Sequence, residues 1–163
     1  FLSARINKMS LTTATLSFLL YSVLNGVTMS IIFLAFTASS IATTFYITAG
    51  TFGAMALYGY VTKTDLSKFG SLLRMALLGL IIALVVNIFL RNSMFDMIIS
   101  GIGVLIFTGL TAYDSQKIKE ALAMSEDGGE ATQKIALMGA LTLYLDFINL
   151  FIYLLRFFGK GND

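Results

Sequence analysis

Cysteine, histidine, proline and tryptophan are all absent from this chain of 163 residues. Without cysteine, the sequence has no disulfide and no thiol nucleophile. Without histidine, it has no serine–histidine triad and no imidazole pH switch, and it lacks the commonest side-chain ligand of transition metals. A response to protons near neutral pH must therefore come from carboxyl groups. Because proline is absent, a helix kink would need glycine or a polar side chain.

Charged residues are scarce as well. They make up 12% of the sequence, whereas a soluble domain carries about a quarter. Hydrophobic residues account for 57%, and they form runs of about 20 residues, long enough to cross a bilayer as helices. This composition favours an all-α polytopic membrane protein over an unusually apolar soluble bundle. The net charge is only +2 and no basic stripe alternates with aromatic residues, so nucleic acid is not an expected partner.

Five complete membrane spans are predicted, and we interpret residues 1–163 as a single transmembrane domain. The predicted spans are Leu11–Phe36, Ile41–Val61, Phe69–Leu90, Met94–Tyr113 and Thr132–Gly159. The fourth helix is expected to continue beyond the membrane to Met124. Turns are expected at 38–40 and 91–93, and polar loops at 63–68 and 125–130. In the first of these loops, Asp65 or Ser67 can cap the helix that follows.

Basic residues are distributed unevenly between the two ends of the predicted spans. One end carries Arg5, Lys8, Lys63, Lys68, Arg74, Lys117, Lys119 and Lys134. The other carries Arg91, Arg156 and Lys160. The positive-inside rule places the first group in the cytoplasm, so the C-terminus is predicted on the opposite side. Arg74 lies near the start of the third span, where its side chain can extend to the membrane surface.

The last predicted span contains a carboxylate, Asp146, well inside it. Steps of three and four residues along the helix define one polar face. Its members are Gly139, Thr142, Asp146, Asn149, Tyr153 and Arg156. An unpaired carboxylate facing lipid costs at least about 2.5–3.5 kcal/mol, so this face is predicted to point into the helix bundle.

A second carboxylate, Asp114, lies in the fourth helix at a similar depth. It is about 15 Å from the helix end near Met124, and Asp146 is about 20 Å from the start of its own helix near Thr132. The two helices are antiparallel, so the carboxyl groups can meet. Two close carboxyl groups in a medium of low dielectric constant cannot cheaply both be charged, so they would hold a shared proton, a basic side chain or a metal cation. The remaining acids are expected in loops, near helix ends or in the tail: Asp65, Asp96, Glu120, Glu126, Asp127, Glu130 and Asp163.

Each candidate residue also has a simpler interpretation. Asp114 would be a solvated residue beside nearby lysines if this part of the helix lies outside the membrane. Asn149 would serve as an interhelical hydrogen-bonding residue. Tyr113 and Tyr144 flank the acids and can donate their hydroxyl groups, but tyrosine is common at membrane interfaces. Arg5 is either a countercharge for the aspartate pair or a cytoplasmic anchor.

Sequence motifs of the common enzyme classes are missing. There is no P-loop, no Gly-x-Ser-x-Gly elbow, no His-Glu-x-x-His and no EF-hand loop. An intramembrane aspartyl protease would also place two aspartates on adjacent helices, and Tyr113-Asp114 matches one of its two motifs. The second motif, Gly-x-Gly-Asp, does not match, because Leu143-Tyr-Leu precedes Asp146. We therefore predict that the chain is not an enzyme.

Three stretches carry more specific patterns. They are Gly109-Leu-Thr-Ala-Tyr-Asp-Ser-Gln-Lys-Ile-Lys119, Ala140-Leu-Thr-Leu-Tyr-Leu-Asp-Phe-Ile-Asn-Leu-Phe-Ile-Tyr-Leu-Leu-Arg156 and Thr62-Lys-Thr-Asp-Leu-Ser67. Together they resemble the Bax inhibitor-1, or transmembrane Bax inhibitor motif, family. The resemblance implies a seven-helix bundle around a central C-terminal helix. Two N-terminal helices would then precede this segment, with Phe1–Ala4 ending the second. It also implies a bacterial inner-membrane protein.

The same resemblance implies a function, a pH-sensitive calcium leak channel controlled by an aspartate pair. The matching positions are Asp114 and Asp146, which would contact both protons and calcium, the transported ion. Arg5 is the nearest match to an arginine that latches onto the first aspartate. The polar residues that would support the pair are Asn149, Tyr113 and Tyr144. No cofactor is expected.

Two other functions stay open at this stage. In the first, the chain is a non-conducting membrane protein that modulates a membrane protease or a cell-death or stress pathway. A proton-coupled transporter is the third interpretation. It would be favoured by an inverted repeat or a helix broken at mid-membrane, and the sequence shows neither.

Overall fold

The computed structural model describes residues 5–125 and 128–161, and nearly all of them are α-helical. The elements, in chain order, are a 3-10 turn (Ile6–Lys8) and helices α1 (Leu11–Met29), α2 (Ile32–Ala35), α3 (Ala38–Val61), α4 (Ser67–Leu90), α5 (Ser93–Met124) and α6 (Glu130–Phe158). Helices α1 and α2 form one span, and α3 to α6 form one each, so five segments of the described chain are long and apolar enough to cross a membrane. The predicted all-α polytopic architecture is confirmed.

Some predicted features lie outside the described residues. They are Phe1–Ala4, interpreted as the end of an earlier helix, and the acids Glu126, Asp127 and Asp163. The seven-helix bundle with its central C-terminal helix refers to a longer chain and stays a prediction.

The turn predicted at 38–40 is wrong, because α3 already begins at Ala38. Thr37 explains the early start. Its hydroxyl oxygen accepts a hydrogen bond from the backbone N–H of Ser40 at 3.3 Å. This bond satisfies one of the four amide groups that the first turn of a helix leaves unpaired. The chain therefore reverses at residues 36–37.

The loop between α3 and α4 is fastened to α5 by the buried side chain of Gln116. The side-chain oxygen of Gln116 accepts a hydrogen bond from the N–H of Leu66 at 2.9 Å, and its amide nitrogen donates to the carbonyl of Thr64 at 2.7 Å. In the same loop Asp65 accepts a hydrogen bond from the N–H of Ser67 at 3.0 Å. The prediction that Asp65 or Ser67 caps α4 is wrong, because the N-cap residue is Leu66, which makes no side-chain capping bond. Hydrogen bonds from the side chain and backbone of Ser67 hold the pKa of Asp65 below its ordinary value.

Consecutive spans run in opposite directions, so the helix ends form two groups. In one group, the Nζ of Lys119 donates a hydrogen bond to the carbonyl of Tyr60 at 2.7 Å. In the other, the N–H of Thr37 donates to the carbonyl of Lys160 at 3.2 Å. We call these the inner end and the outer end, after the predicted cytoplasmic and opposite sides of the membrane. The orientation itself stays a prediction.

Helix α5 is the most enclosed span of the described chain, because α3, α4 and α6 all pack against it. Helix α6 packs against α5, α3, α1 and the 3-10 turn. The interface between α5 and α6 therefore forms the interior of this part of the bundle. The candidate residues of the sequence analysis lie in and around this interface.

Glycine permits the closest helix approach. A methyl group on Gly59 of α3 would lie only 2.0 Å from the backbone carbonyl oxygen of Ala112 in α5. Small residues allow membrane helices to approach in this way. Gly50 and Gly53 lie on the same helix, but among the described residues no atom outside the helix's own backbone lies within 4 Å of a methyl group built there. Of the three glycines of α3, Gly59 is therefore the one at a helix contact in the described part of the chain.

The outer surface of the bundle is strongly apolar. On α4, Leu78 is 64% exposed, Ile82 65% and Phe89 82%, and α1 presents similar residues such as Leu20 and Val27. A contiguous apolar surface of this extent is found on proteins that contact a membrane or a partner. Since the same helices are long enough to cross a bilayer, we assign these faces to lipid contact.

Candidate functional site

The polar face of α6 turns toward α5, as the sequence predicted. Asp146 is only 5% exposed. The group beside it is the carboxyl of Asp114 on α5, and the two side chains are close enough to form a hydrogen bond with each other. Two carboxyl groups can share such a bond only when one of them carries a proton. The structure therefore brings together the two acids of the sequence analysis, while their role stays a prediction.

Neighbouring residues on α5 determine where Asp114 points. The hydroxyl of Ser115 donates a hydrogen bond to the carbonyl of Ala56 in α3 at 2.7 Å, and Gln116 is bonded to the loop that precedes α4. Successive side chains on a helix are separated by about 100°, so these contacts leave Asp114 on the side that faces α6. The Asp-Ser-Gln sequence thus combines one acid with two residues that anchor the helix.

One oxygen of Asp146 has no donor among residues 5–125 and 128–161. This atom, Oδ2, is buried and accepts no hydrogen bond. A buried acceptor without a partner costs about 1–3 kcal/mol, and more when it is charged. The carboxyl of Asp114 lies beside it and is an acceptor itself unless it is protonated. A proton or a cation at this position would remove the cost.

A cavity of about 350 Å³ opens beside Asp114 at the inner end. Its walls come from the 3-10 turn, α5 and α6. Lys117, Lys134, Asn7 and Thr142 contribute polar groups to this lining. Lys134 is held by an ion pair with Glu130, at 3.2 Å. Asp114 is therefore the member of the pair that faces the cavity.

Arg5, the predicted latch, lies directly before this cavity lining. It precedes the 3-10 turn, whose residues Ile6 and Asn7 both line the cavity. Ile6 is 2% exposed, which anchors the turn against the bundle. This places Arg5 next to the cavity. Its pairing with Asp114 stays a prediction.

Comparison with known proteins identifies the family. A family model described as "Inhibitor of apoptosis-promoting Bax1" matches residues 1–163. The chain belongs to the Bax inhibitor-1 family. It is 55% identical over 162 residues to an uncharacterised protein of Borreliella burgdorferi, a match that covers 99% of this chain and 70% of that protein. It is 52% identical over 160 residues to the inner membrane protein YbhL of Escherichia coli K12, covering 98% and 68%.

A membrane protein of Streptococcus pyogenes serotype M6 is 42% identical over 145 residues, covering 89% of this chain and 62% of that protein. The family resemblance predicted from the motifs at residues 62–67, 109–119 and 140–156 is therefore confirmed. With five apolar spans in the described residues, this Bax inhibitor-1 family chain is a multi-pass integral membrane protein.

Two of the supporting residues have partners other than the acids. In this family member, the hydroxyl of Tyr144 accepts a hydrogen bond from the side chain of Asn25 at 3.1 Å, so Tyr144 connects α6 with α1. Asn149 was predicted as an interhelical hydrogen-bonding residue. Its amide nitrogen instead donates to the carbonyl of Leu145 in its own helix at 2.8 Å. Asn25 was not among the predicted site residues, because a lone asparagine in an apolar span gives no hint of its partner.

Tyr113 is held by an arginine that sequence reasoning did not include in the site. Nη2 of Arg74 donates a hydrogen bond to the Tyr113 hydroxyl at 2.8 Å, and the guanidinium carbon lies 5.0 Å from the ring centroid. The ring rests on Gly70, where a methyl group would come within 2.2 Å of it. The Arg74 side chain thus contacts α5 in the bundle. The sequence signal for this contact was Gly70, one helical turn before Arg74. That glycine indicates a ring contact only when Tyr113 is known to pack against it.

Proposed function

We propose that this Bax inhibitor-1 family chain forms a calcium leak pathway in the bacterial inner membrane, and that the Asp114–Asp146 pair controls it through protonation. One observation carries the proposal: two carboxyl groups from neighbouring helices lie in contact beside a cavity, and one buried oxygen of the pair has no donor among the described residues. Such a pair is satisfied by either a proton or a cation. The inner-membrane assignment draws on the relative YbhL.

Competition between proton and calcium follows from this arrangement. When the pair has lost its proton, two negative charges face each other in a medium of low dielectric constant, and a divalent cation from the cavity relieves their repulsion. When the pair holds a proton, the carboxyl groups bond to each other and attract a cation less. Pairing of Arg5 with Asp114 would act in the same direction as the proton, because it supplies a competing positive charge.

The aspartate pair offers fewer ligands than a complete calcium shell, as expected of a site that an ion enters and leaves. Calcium takes 6–8 oxygen ligands in proteins. In the part of the chain that the structure describes, no group of three or more acidic, cysteine or histidine side chains is placed to hold a metal. The aspartate pair would supply only part of a calcium shell, and water would supply the rest. Weak, partial coordination permits release, which conduction requires.

Calcium flux into liposomes across a pH series tests the proposal. The full-length protein encoded by the gene should be used. We expect Asp114→Asn combined with Asp146→Asn to lower the flux by at least about tenfold, equivalent to about 1.4 kcal/mol, and to abolish its pH dependence. Glu120→Gln is the matched control, because Glu120 lies on the same helix with a side chain that is 43% exposed.

Two outcomes contradict the proposal. If the double variant conducts calcium with the same pH response as the unmodified protein, the pair does not control the leak. If the unmodified protein conducts no calcium, and a membrane protease or other partner co-purifies with both forms, the non-conducting alternative is favoured.

A further inference from the structure

The α5 face that carries Asp114 carries a second acid at the outer end. Asp96 and Asp114 are 18 residues apart in the sequence. At 3.6 residues per turn this separation is about five complete turns, or about 27 Å along the axis, so the two side chains leave the helix in the same direction. Asp96 therefore belongs to the same interface with α6, close to the opposite side of the membrane.

The polar face of α6 ends at a partner for this acid. Arg156 follows Asp146 on that face, and its guanidinium donates a hydrogen bond to Oδ1 of Asp96. The same oxygen accepts a second bond from the side-chain amide of Asn87 in α4, at 3.3 Å. The Arg156 and Asp96 side chains are 30% and 36% exposed, so the ion pair is partly withdrawn from the surface. It joins α4, α5 and α6 at the outer end.

An aromatic stack separates the two charged positions. The rings of Phe107 and Tyr153 lie nearly parallel, 18° apart in orientation, with centroids 5.7 Å from each other. Both residues are buried. Gly103 makes room for the Tyr153 ring, since a methyl group there would lie 2.6 Å from it. The α5–α6 interface thus contains the aspartate pair, then the aromatic stack, then the ion pair at the outer end.

We propose that the Asp96–Arg156 ion pair is a charge filter at the outer mouth of the pathway, and that it sets how readily cations cross this end. The inference rests on the proposed function. The guanidinium carries a positive charge that repels a cation, while the Asp96 carboxylate offsets that repulsion. Because both groups are partly removed from water, their charges act on an ion more strongly than they would in bulk solvent.

The two partners have opposite expected effects on conduction. Arg156→Gln leaves an unpaired carboxylate at the mouth, so calcium flux should rise several-fold. Asp96→Asn leaves an unpaired guanidinium, so the flux should fall several-fold. The double variant should return close to the flux of the unmodified protein. An ion pair that only stabilises the fold would lower the flux in both single variants.

Calcium flux in liposomes that contain the full-length protein decides between these cases. Lys160→Gln is the matched control, because it removes a positive charge from an exposed outer-end residue whose hydrogen bonds with Thr37 and Ser40 are made by its backbone. We expect its flux to be unchanged. Changes of the same sign in Arg156→Gln and Asp96→Asn, or no change in either, would overturn the inference while leaving the proposed leak intact.

A labelling experiment gives a readout that does not require conduction. The sequence has no cysteine, so Asn149→Cys introduces a single thiol on the polar face between Asp146 and Tyr153. A cationic thiol reagent added from the outer side should label it faster with Arg156→Gln and more slowly with Asp96→Asn, whereas a neutral reagent of similar size should label both alike. If the unmodified protein shows no flux, the proposed function fails. If the labelling rate is also the same with Arg156→Gln and with Asp96→Asn, the charge filter is overturned as well.

Discussion

Asp146 is the residue at which burial and charge oppose each other most directly. Its carboxyl is 5% exposed, and within the described ranges its Oδ2 accepts no hydrogen bond. Stability alone would favour a neutral side chain at this position, since an unsatisfied buried acceptor is unfavourable. A residue that lowers stability where it sits is typical of a functional site. This combination separates Asp146 from Asn149, whose amide nitrogen is bonded within its own helix.

Asp146→Asn should leave the melting temperature of the full-length protein in detergent unchanged, or raise it by about 2–4 °C, which corresponds to about 1 kcal/mol for a protein of this size. Asparagine keeps the shape of the side chain, removes the buried charge and can donate a hydrogen bond to Asp114. Thermal unfolding with Glu120→Gln as control measures the effect. A fall of several degrees would show that the carboxyl makes stabilising contacts.

Asp65 gives a pH-dependent prediction at the surface. Its folded-state pKa lies below the ordinary value of 3.8 because Ser67 donates hydrogen bonds to the carboxylate. A carboxyl with a depressed pKa contributes stability above its ordinary pKa and loses that contribution as the pH falls through the folded-state value. The melting temperature of Asp65→Ala should therefore be below that of the unmodified protein at pH 6, and the difference should shrink below about pH 4. A constant difference down to pH 3 would contradict a stabilising role for the Asp65–Ser67 hydrogen bonds.

At the scale of elements, α5 is positioned by different chemistry on each side. On the side toward α3, the α5 backbone lies against Gly59, and Ser115 donates a hydrogen bond to α3. On the side toward the loop before α4, Gln116 forms hydrogen bonds with that loop. Toward α4 the Tyr113 ring lies between a glycine and an arginine. Toward α6 it presents the carboxyl groups of Asp96 and Asp114. The three anchored sides hold the α5 backbone so that the acids meet α6 in one register.

Gly59→Ala should destabilise the bundle, and Gly53→Ala on the same helix should not. The methyl group at residue 59 would lie 2.0 Å from a backbone oxygen of α5, which cannot move aside, whereas at residue 53 nothing described lies within 4 Å. Overpacking of this kind costs about 1–3 kcal/mol, while alanine in an unobstructed helix position is favoured over glycine by up to about 1 kcal/mol. Thermal unfolding of both variants in detergent measures the contrast. Equal melting temperatures would show that α3 and α5 do not approach so closely.

At the scale of the whole molecule, charge is distributed along one interface. The inner end of the α5–α6 contact holds the aspartate pair next to a cavity, and the outer end holds the Asp96–Arg156 ion pair. The faces of α1 and α4 that point away from this interface are apolar and suited to lipid. Charged groups are costly inside an apolar helix bundle, so they face the bundle interior and pair with one another there.

Much of the fold could be predicted from the sequence, because a bilayer requires apolar runs of a fixed minimum length. Five spans followed from those runs, and the continuation of α5 beyond the membrane to Met124 was predicted in addition to them. Helix ends were less predictable, as the wrong turn at 38–40 shows, because a single hydroxyl on Thr37 decided where α3 begins. In the site, the meeting of Asp114 and Asp146 could be predicted, since helix rise and antiparallel order fix their relative depth.

The sequence by itself thus determined the class of protein, the number of spans in this segment, the family, and the depth of Asp114 and Asp146. Only the tertiary structure decided which side chains complete each contact. Arg74 with Tyr113, Asn25 with Tyr144, and Asp96 with Arg156 could not be inferred from spacing. The reason is physical: in a membrane protein both the lipid-facing and the buried sides of a helix are apolar. The pattern along one helix therefore fixes its depth, while its rotation and its neighbours depend on contacts with residues far away in the chain.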